Sequence, residues 1–98
     1  MLKRIGYIRN VSPRGWMYIL ECGDGTYYTG STIDLKQRIS EHNSKIGGKY
    51  SSKNAPFRLI FYEAFLSKSD SIKQEKFYKT GYGREILKTK IEHSIKIK

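Results

Sequence analysis

The distribution of apolar and polar positions divides the chain into short elements. Residues 16–22, WMYILEC, form a run rich in apolar and aromatic side chains that predicts a strand. GDG follows, a tight turn in which glycine tolerates positive φ and aspartate favours the bend. TYYTGST then returns as a second strand, so the pair predicts an antiparallel hairpin. The next polar-apolar pattern, STIDLKQRISEHNSK, predicts a helix from Asp34 to Asn43, with Thr32 or Asp34 as its cap. Leu35 and Ile39, four apart, define its buried stripe. Arg38 and His42 are also four apart and lie beside that stripe, so a cation and an imidazole are expected at the edge of the helix–core contact.

KIGGKYSSKNAP, residues 45–56, reads as a loop bearing three lysines. FRLIFYEAF predicts a third strand, and SKSDSIKQEKFYK a second helix capped by Ser69 or Asp70, with Ile72, Glu75 and Lys79 on one face. TGYG, residues 80–83, is expected to break that helix, because glycine is poor within helices and favoured at their ends. REILKTKIEHSIK predicts a final amphipathic helix with Ile86, Leu87, Ile91 and Ile95 inward. Residues 1–15 read as a basic arm or an extra strand, and residues 16–98 as one domain. The order strand, strand, helix, strand, helix, helix predicts an α+β fold with a small sheet covered by helices.

Charge sharpens this picture. The 98 residues carry 19 basic and 9 acidic side chains, a net charge of +10. A positive field spread along the chain favours a polyanionic partner, and nucleic acid is the commonest. A single cysteine, Cys22, cannot form an internal disulfide and is expected to pack as a small hydrophobe. No Cys/His spacing suggests a zinc site, no apolar run approaches a membrane span, and the N-terminus lacks a signal-peptide apolar segment. These absences fit a cytoplasmic protein with no membrane partner.

The hairpin brings Tyr18 and Tyr28 onto adjacent strands, the next helix supplies Arg38 and His42, and the following one supplies Glu75. Their convergence at one end of the sheet would suit phosphodiester hydrolysis. Attacking water must lose a proton to His or to a Tyr hydroxyl made more acidic by nearby charge. An Arg fork can hold the charge of the phosphorane-like transition state. A Mg²⁺ held by one carboxylate, with water and phosphate completing its shell, can serve the leaving oxygen. Taken singly, each residue has a plainer role: the tyrosines as cross-strand packing, Arg38 paired with Glu41 or Asp34, Glu75 paired with Lys79, His42 at a helix C-terminus. Their combination on so basic a chain favours the site.

Those residues carry a resemblance. The chain resembles the GIY-YIG nuclease domain, in its small single-domain bacterial and phage-like members. WMYIL matches the first element with Tyr18, and YTG, residues 28–30, matches the second. LKQRISEHN supplies Arg38 ten residues after Tyr28 and His42 four later, and SIKQEKFYK supplies Glu75. KTGYGREIL is also similar to the family, so the likeness runs from about residue 16 to residue 91. It implies a central three-stranded antiparallel sheet flanked by helices, and metal-dependent endonucleolytic cleavage of DNA with Mg²⁺ or Mn²⁺. By the same resemblance, Glu75 binds the metal and Arg38 contacts the scissile phosphate. Tyr18 and Tyr28 line the site, one as base or water-positioner, and His42 assists proton transfer. The chain departs from the family in carrying Trp16 and Met17 before Tyr18 in place of the glycine. Ser31 stands where some members have lysine, and Leu87 where some have asparagine. Lys49, Lys53 or Lys79 are then the expected substitutes for phosphate binding.

Three readings follow: an active endonuclease, a catalytically silent nucleic-acid-binding module of the same fold, or a subunit whose cleavage depends on a protein partner that supplies substrate recognition. A tyrosine recombinase also uses Arg, His and Tyr. Its covalent chemistry normally needs a larger scaffold, and here the tyrosine precedes the arginine.

Overall fold

The computed structural model describes residues 12–44 and 56–96. Most of the expected basic arm, and Lys49 and Lys53 of the lysine-bearing loop, lie outside the described residues. Three strands, β1 (Gly15–Glu21), β2 (Tyr27–Thr32) and β3 (Arg58–Phe65), form one antiparallel sheet in the order β2-β1-β3. Three helices cover it: α1 (Leu35–Asn43), α2 (Lys68–Tyr78) and α3 (Gly81–Ile91), with a 3₁₀ turn at Ser94–Lys96. The fold is the α+β arrangement expected. Among the described residues, no helix is long and apolar enough to cross a membrane.

β1 is the central strand and is covered on both faces, which is why its sequence is a nearly continuous apolar run. Met17 and Ile19 turn to one face and pack with Tyr78, Leu87 and Ile91 of α2 and α3. Tyr18 and Leu20 turn to the other, where Cys22, Phe57, Leu35 and Ile39 close a second cluster beneath α1. The β1–β3 register slips by one residue between Ile19 and Leu20, leaving Ile60 without a partner opposite. Ile60 and Phe61 therefore both pack against the α2/α3 cluster, while Leu59 stays beside Leu20.

The β1–β2 turn is closed by Cys22 N–H donating to Thr26 O (2.7 Å) and Gly25 N–H donating to Cys22 O (3.0 Å). Gly25 sits at φ 88°, where a side chain would be strained. Asp34 caps α1 by accepting from the Gln37 N–H (3.0 Å). At the other end of α1 the Asn43 amide accepts from Phe57 N–H (2.8 Å) and donates to Phe57 O (3.2 Å), pinning the helix to the approach of β3.

Both later helices begin earlier than the local pattern suggests. α2 is entered from Ser67 rather than from Ser69 or Asp70, and Asp70 instead lies in the first turn, where its charge suits the helix dipole. The reason is packing: Ser71 is buried directly over Gly15, and a Cβ at Gly15 would meet Ser71 Oγ and lie 2.9 Å from Lys68 Cα. α3 begins at Gly81, inside the segment expected to break the chain, because the Thr80 hydroxyl caps it by accepting from Gly83 N–H (3.0 Å). Tyr78 Oη then ties α2 to its neighbours. It accepts from Lys90 Nζ (2.8 Å) and Gln74 Nε2 (3.0 Å) and donates to the Glu63 carboxylate (3.2 Å), joining α2, α3 and β3.

The two glycines at the α2–α3 junction should respond oppositely to alanine. A Cβ at Gly83 would run into the Phe77 carbonyl, whereas one at Gly81 meets nothing within 4 Å. Gly83→Ala should cost about 1–3 kcal/mol or more, as overpacking against backbone does. Gly81→Ala should be neutral or stabilise by about 0.4–1 kcal/mol. Urea unfolding of both variants reads the contrast; equal midpoints would contradict the close approach.

Candidate active site

Tyr18 pairs with Gly30 across β1 and β2, so both look toward α1. A Cβ at Gly30 would lie 2.6 Å from Tyr18 Oη and 2.9 Å from Tyr28 Cε2, closer than real Cβ contacts, so only glycine leaves room for the phenol to lean across β2. Tyr28, two residues earlier on β2, faces the same way, its ring centroid 6.1 Å from that of Tyr18. His42, at the end of α1, is 2% exposed and closes the group, with ring centroids 5.4 Å from Tyr28 and 5.1 Å from Phe57. Its Nε2 stands 3.4 Å from Tyr18 Oη.

Arg38 lies one helical turn before His42, as expected from their spacing. Its guanidinium lies close enough to the hydroxyls of Tyr18 and Tyr28 to interact with both and, through Nη1, donates to Glu41 Oε1 at 3.2 Å. Thus Arg38 keeps the plain helix pairing and reaches the tyrosines as well.

This environment sets protonation. Burial pushes the Tyr18 hydroxyl up to about 12, although the Arg38 hydrogen bond pulls the other way. The expected acidification of a tyrosine by nearby charge is therefore reversed at Tyr18: desolvation outweighs the cation, and the phenol is neutral at neutral pH. Hydrogen bonding to Tyr18 holds the Arg38 guanidinium above its ordinary value. Burial, then the Arg38 charge, depress His42, so its imidazole is neutral and able to accept a proton.

Glu75 approaches from the other side of β2. Ser31 neighbours Gly30 but, by strand alternation, turns toward α2, and its Oγ donates to Glu75 Oε1 at 2.6 Å. Lys79 Nζ donates to Oε2 at 2.6 Å, so the plain helix pair is formed too. Burial works against the Glu75 charge, but the hydrogen bonds from Lys79 and Ser31 together outweigh it and hold the carboxyl below its usual range. The structure thus gathers Tyr18, Tyr28, Arg38 and His42 on the α1 face and sets Glu75 at the same stretch of edge strand from the α2 face.

In the sequence Ser31 registers only as a departure from a family pattern; nothing local signals that it faces α2 and holds Glu75. Leu87 is buried with Met17, Tyr78 and Ile91 and presents no polar group. Among the described residues no cluster of three or more metal-ligating side chains occurs. Glu75 fits a divalent cation as a lone hard oxygen donor: it is ionised, and the Lys79 side chain that covers it is 51% exposed and has room to swing away. Water and phosphate oxygens would have to complete the shell.

The sequence and the fold have counterparts among known proteins. The GIY-YIG catalytic domain matches residues 14–90. A UPF0213 protein of Streptococcus agalactiae is 45% identical over 64 residues, 65% of this chain and 73% of that protein. A UPF0213 protein from the ldhD 5′ region of Pediococcus acidilactici is 43% identical over 75 residues, 74% of this chain and 76% of its own length. In structure, the protein EF2693 from E. faecalis superposes with a TM-score of 0.50 at 31% identity, covering 88% of this chain and 92% of that one.

The depressed His42 makes stability depend on pH. The unfolded chain takes up a proton near the ordinary value of 6.5 that the folded chain refuses. The His42 contribution is then complete above that value and is lost as pH falls through it toward the lower folded value. The loss is at most about 1.4 kcal/mol per pH unit. Urea midpoints should fall between about pH 7.5 and about pH 5.5, and His42→Gln should flatten that fall. An identical slope in the variant would place the pH dependence elsewhere.

Proposed function

The chain belongs to the GIY-YIG catalytic domain family, and from that premise we propose that it is a metal-dependent endonuclease hydrolysing DNA phosphodiester bonds. The observation that carries this reading is the contact group of Tyr18, Tyr28, Arg38 and His42 on one face of the sheet. In the reaction, water adds to phosphorus, one P–O ester bond breaks, and the departing alkoxide takes up a proton.

Each side chain has a part in that sequence. Arg38, beside the two phenols, turns its fork to the non-bridging oxygens as charge develops on them. Tyr18 is too weakly acidic to wait as a phenolate. It receives the water proton as it passes its own to neutral His42, whose Nε2 stands 3.4 Å away. Tyr28 positions the water beside Tyr18. Glu75 would hold the Mg²⁺ or Mn²⁺, which when bound supplies a Lewis acid to the departing oxygen. Lys79, swung off Glu75, would join Lys49 and Lys53 in holding phosphate, so that DNA affinity falls as salt rises. A nucleic-acid substrate suits a cytoplasmic setting, as does a chain whose single cysteine can close no internal disulfide.

The short Glu75–Lys79 ion pair favours a second reading, in which the module is silent until a protein partner or substrate opens that pair. Cleavage assays with Mg²⁺ or Mn²⁺ on duplex, branched and single-stranded DNA separate the two. For the nuclease, Glu75→Gln and Arg38→Ala should each remain folded, bind DNA, and lose about 10²–10³ in rate. Mn²⁺ should partly restore Glu75→Gln but not Arg38→Ala. Undiminished cutting by Glu75→Gln would return Glu75 to its role as the partner of Lys79, and no cutting of any structure would leave the silent or partner-dependent module.

A further inference from the structure

We propose that Trp16 and Tyr62 form a stacking platform for an unpaired nucleobase of the substrate, so that the strand bearing the reacting phosphate is single-stranded or opened at that point. The choice of a nucleic-acid occupant rests on the nuclease reading; the platform itself rests on the geometry of the sheet.

Trp16 and Tyr18 are two apart on β1 and face the same way, and Tyr62 is the β3 partner of Tyr18. The phenol of Tyr18 leans over Gly30 toward β2. The strip of sheet on its β3 side is left to Trp16 and Tyr62, whose ring centroids lie 5.6 Å apart at an interplanar angle of 57°. α1 flanks this strip through Leu35 and Ile39. Tyr62 is 51% exposed, and the two rings open onto a cleft of about 640 Å³ whose walls include Leu59, Ile33, Leu35 and Ile39, with Lys36 on the same lining.

The chemistry of this cleft selects its occupant. A wall of aromatic and aliphatic side chains binds a flat apolar face, and a volume of this size suits a nucleotide better than a duplex, whose bases are stacked on one another. Lys36, which lines the cleft together with the Asp34 carboxylate that caps α1, and the net charge of +10 complement a phosphate backbone. Tyr62 pairs directly across the sheet with Tyr18, so a base seated on it lies on the same face of the sheet as the tyrosine group. Stacking is tolerant of base identity, so the platform reads strand state rather than sequence.

Trp16 is the chain's one tryptophan, so its fluorescence reports this cleft alone. The full protein in EDTA, where no cleavage occurs, is titrated with a dT 12-mer, an abasic 12-mer of equal phosphate number, and a 12-base-pair duplex. We expect saturable quenching by the dT 12-mer and little by the other two. Tyr62→Ala should weaken dT 12-mer binding by roughly 5- to 150-fold, the range for one stacked base. The salt dependence should stay unchanged and Tyr62→Phe should retain affinity, which excludes a general loss of fold. Equal quenching and affinity for the abasic strand would overturn the proposal. So would fluorescence that shifts with protein concentration alone, marking a second copy in the cleft, or a Trp16 that acrylamide cannot reach in the free protein. The outcome is independent of catalysis: a protein that seats dT on Trp16 yet never cuts loses the nuclease reading and keeps the platform, and one that cuts with Trp16 unresponsive does the reverse.

Discussion

A phenolic oxygen carried into a strand that is covered on both faces must find partners or bear the full free-energy cost of its lost hydration. Tyr18 is that group, and the surroundings of β1 follow from it. Gly30 makes the space into which the ring leans, Arg38 and His42 supply the polar contacts, and α1 has to end where His42 can reach. The Asn43–Phe57 pair fixes that end. The same burial that demands these partners raises the Tyr18 pKa and depresses that of His42, so a structural requirement and the neutral state of both groups share one cause.

The opposite face of the sheet is organised by a second polar knot. Tyr78 binds Lys90, Gln74 and Glu63 and so sets α2 against β3 and α3. Glu75 lies one turn before Tyr78, so the knot that fixes the helix also fixes the carboxylate against Ser31. The edge strand β2 is where the two faces meet: consecutive residues, Gly30 and Ser31, serve the tyrosine group on one side and the carboxylate on the other.

Different parts of this arrangement were legible to different degrees. The hairpin was readable because its turn needs no distant contact: Asp24 and Gly25 make it through bonds to Thr26 and Cys22. Arg38 and His42 were placed together by helical spacing alone, and Asp34 by its capping chemistry. The starts of α2 and α3 were not readable. Ser71 is drawn in by the bare backbone of Gly15, and Gly83 sits against the Phe77 carbonyl; both depend on what lies across the fold rather than on neighbours in the chain. Gly81 and Gly83 looked like punctuation, but one stands in open space and the other is demanded by contact.

The amino-acid sequence by itself determined the periodicities: which residues share a strand face, which share a helix stripe, where the chain turns, and how positive the whole is. Those follow from backbone geometry and local capping, which act over a few residues. The tertiary structure alone decided that Ser31 would hold Glu75, that Tyr62 would stay exposed beside a half-buried Trp16, and that Tyr18 would be less acidic than a free phenol rather than more. Each of these depends on which helix lies over which face of the sheet and how deeply it excludes water, and desolvation is a property of the assembled layers that no single segment carries.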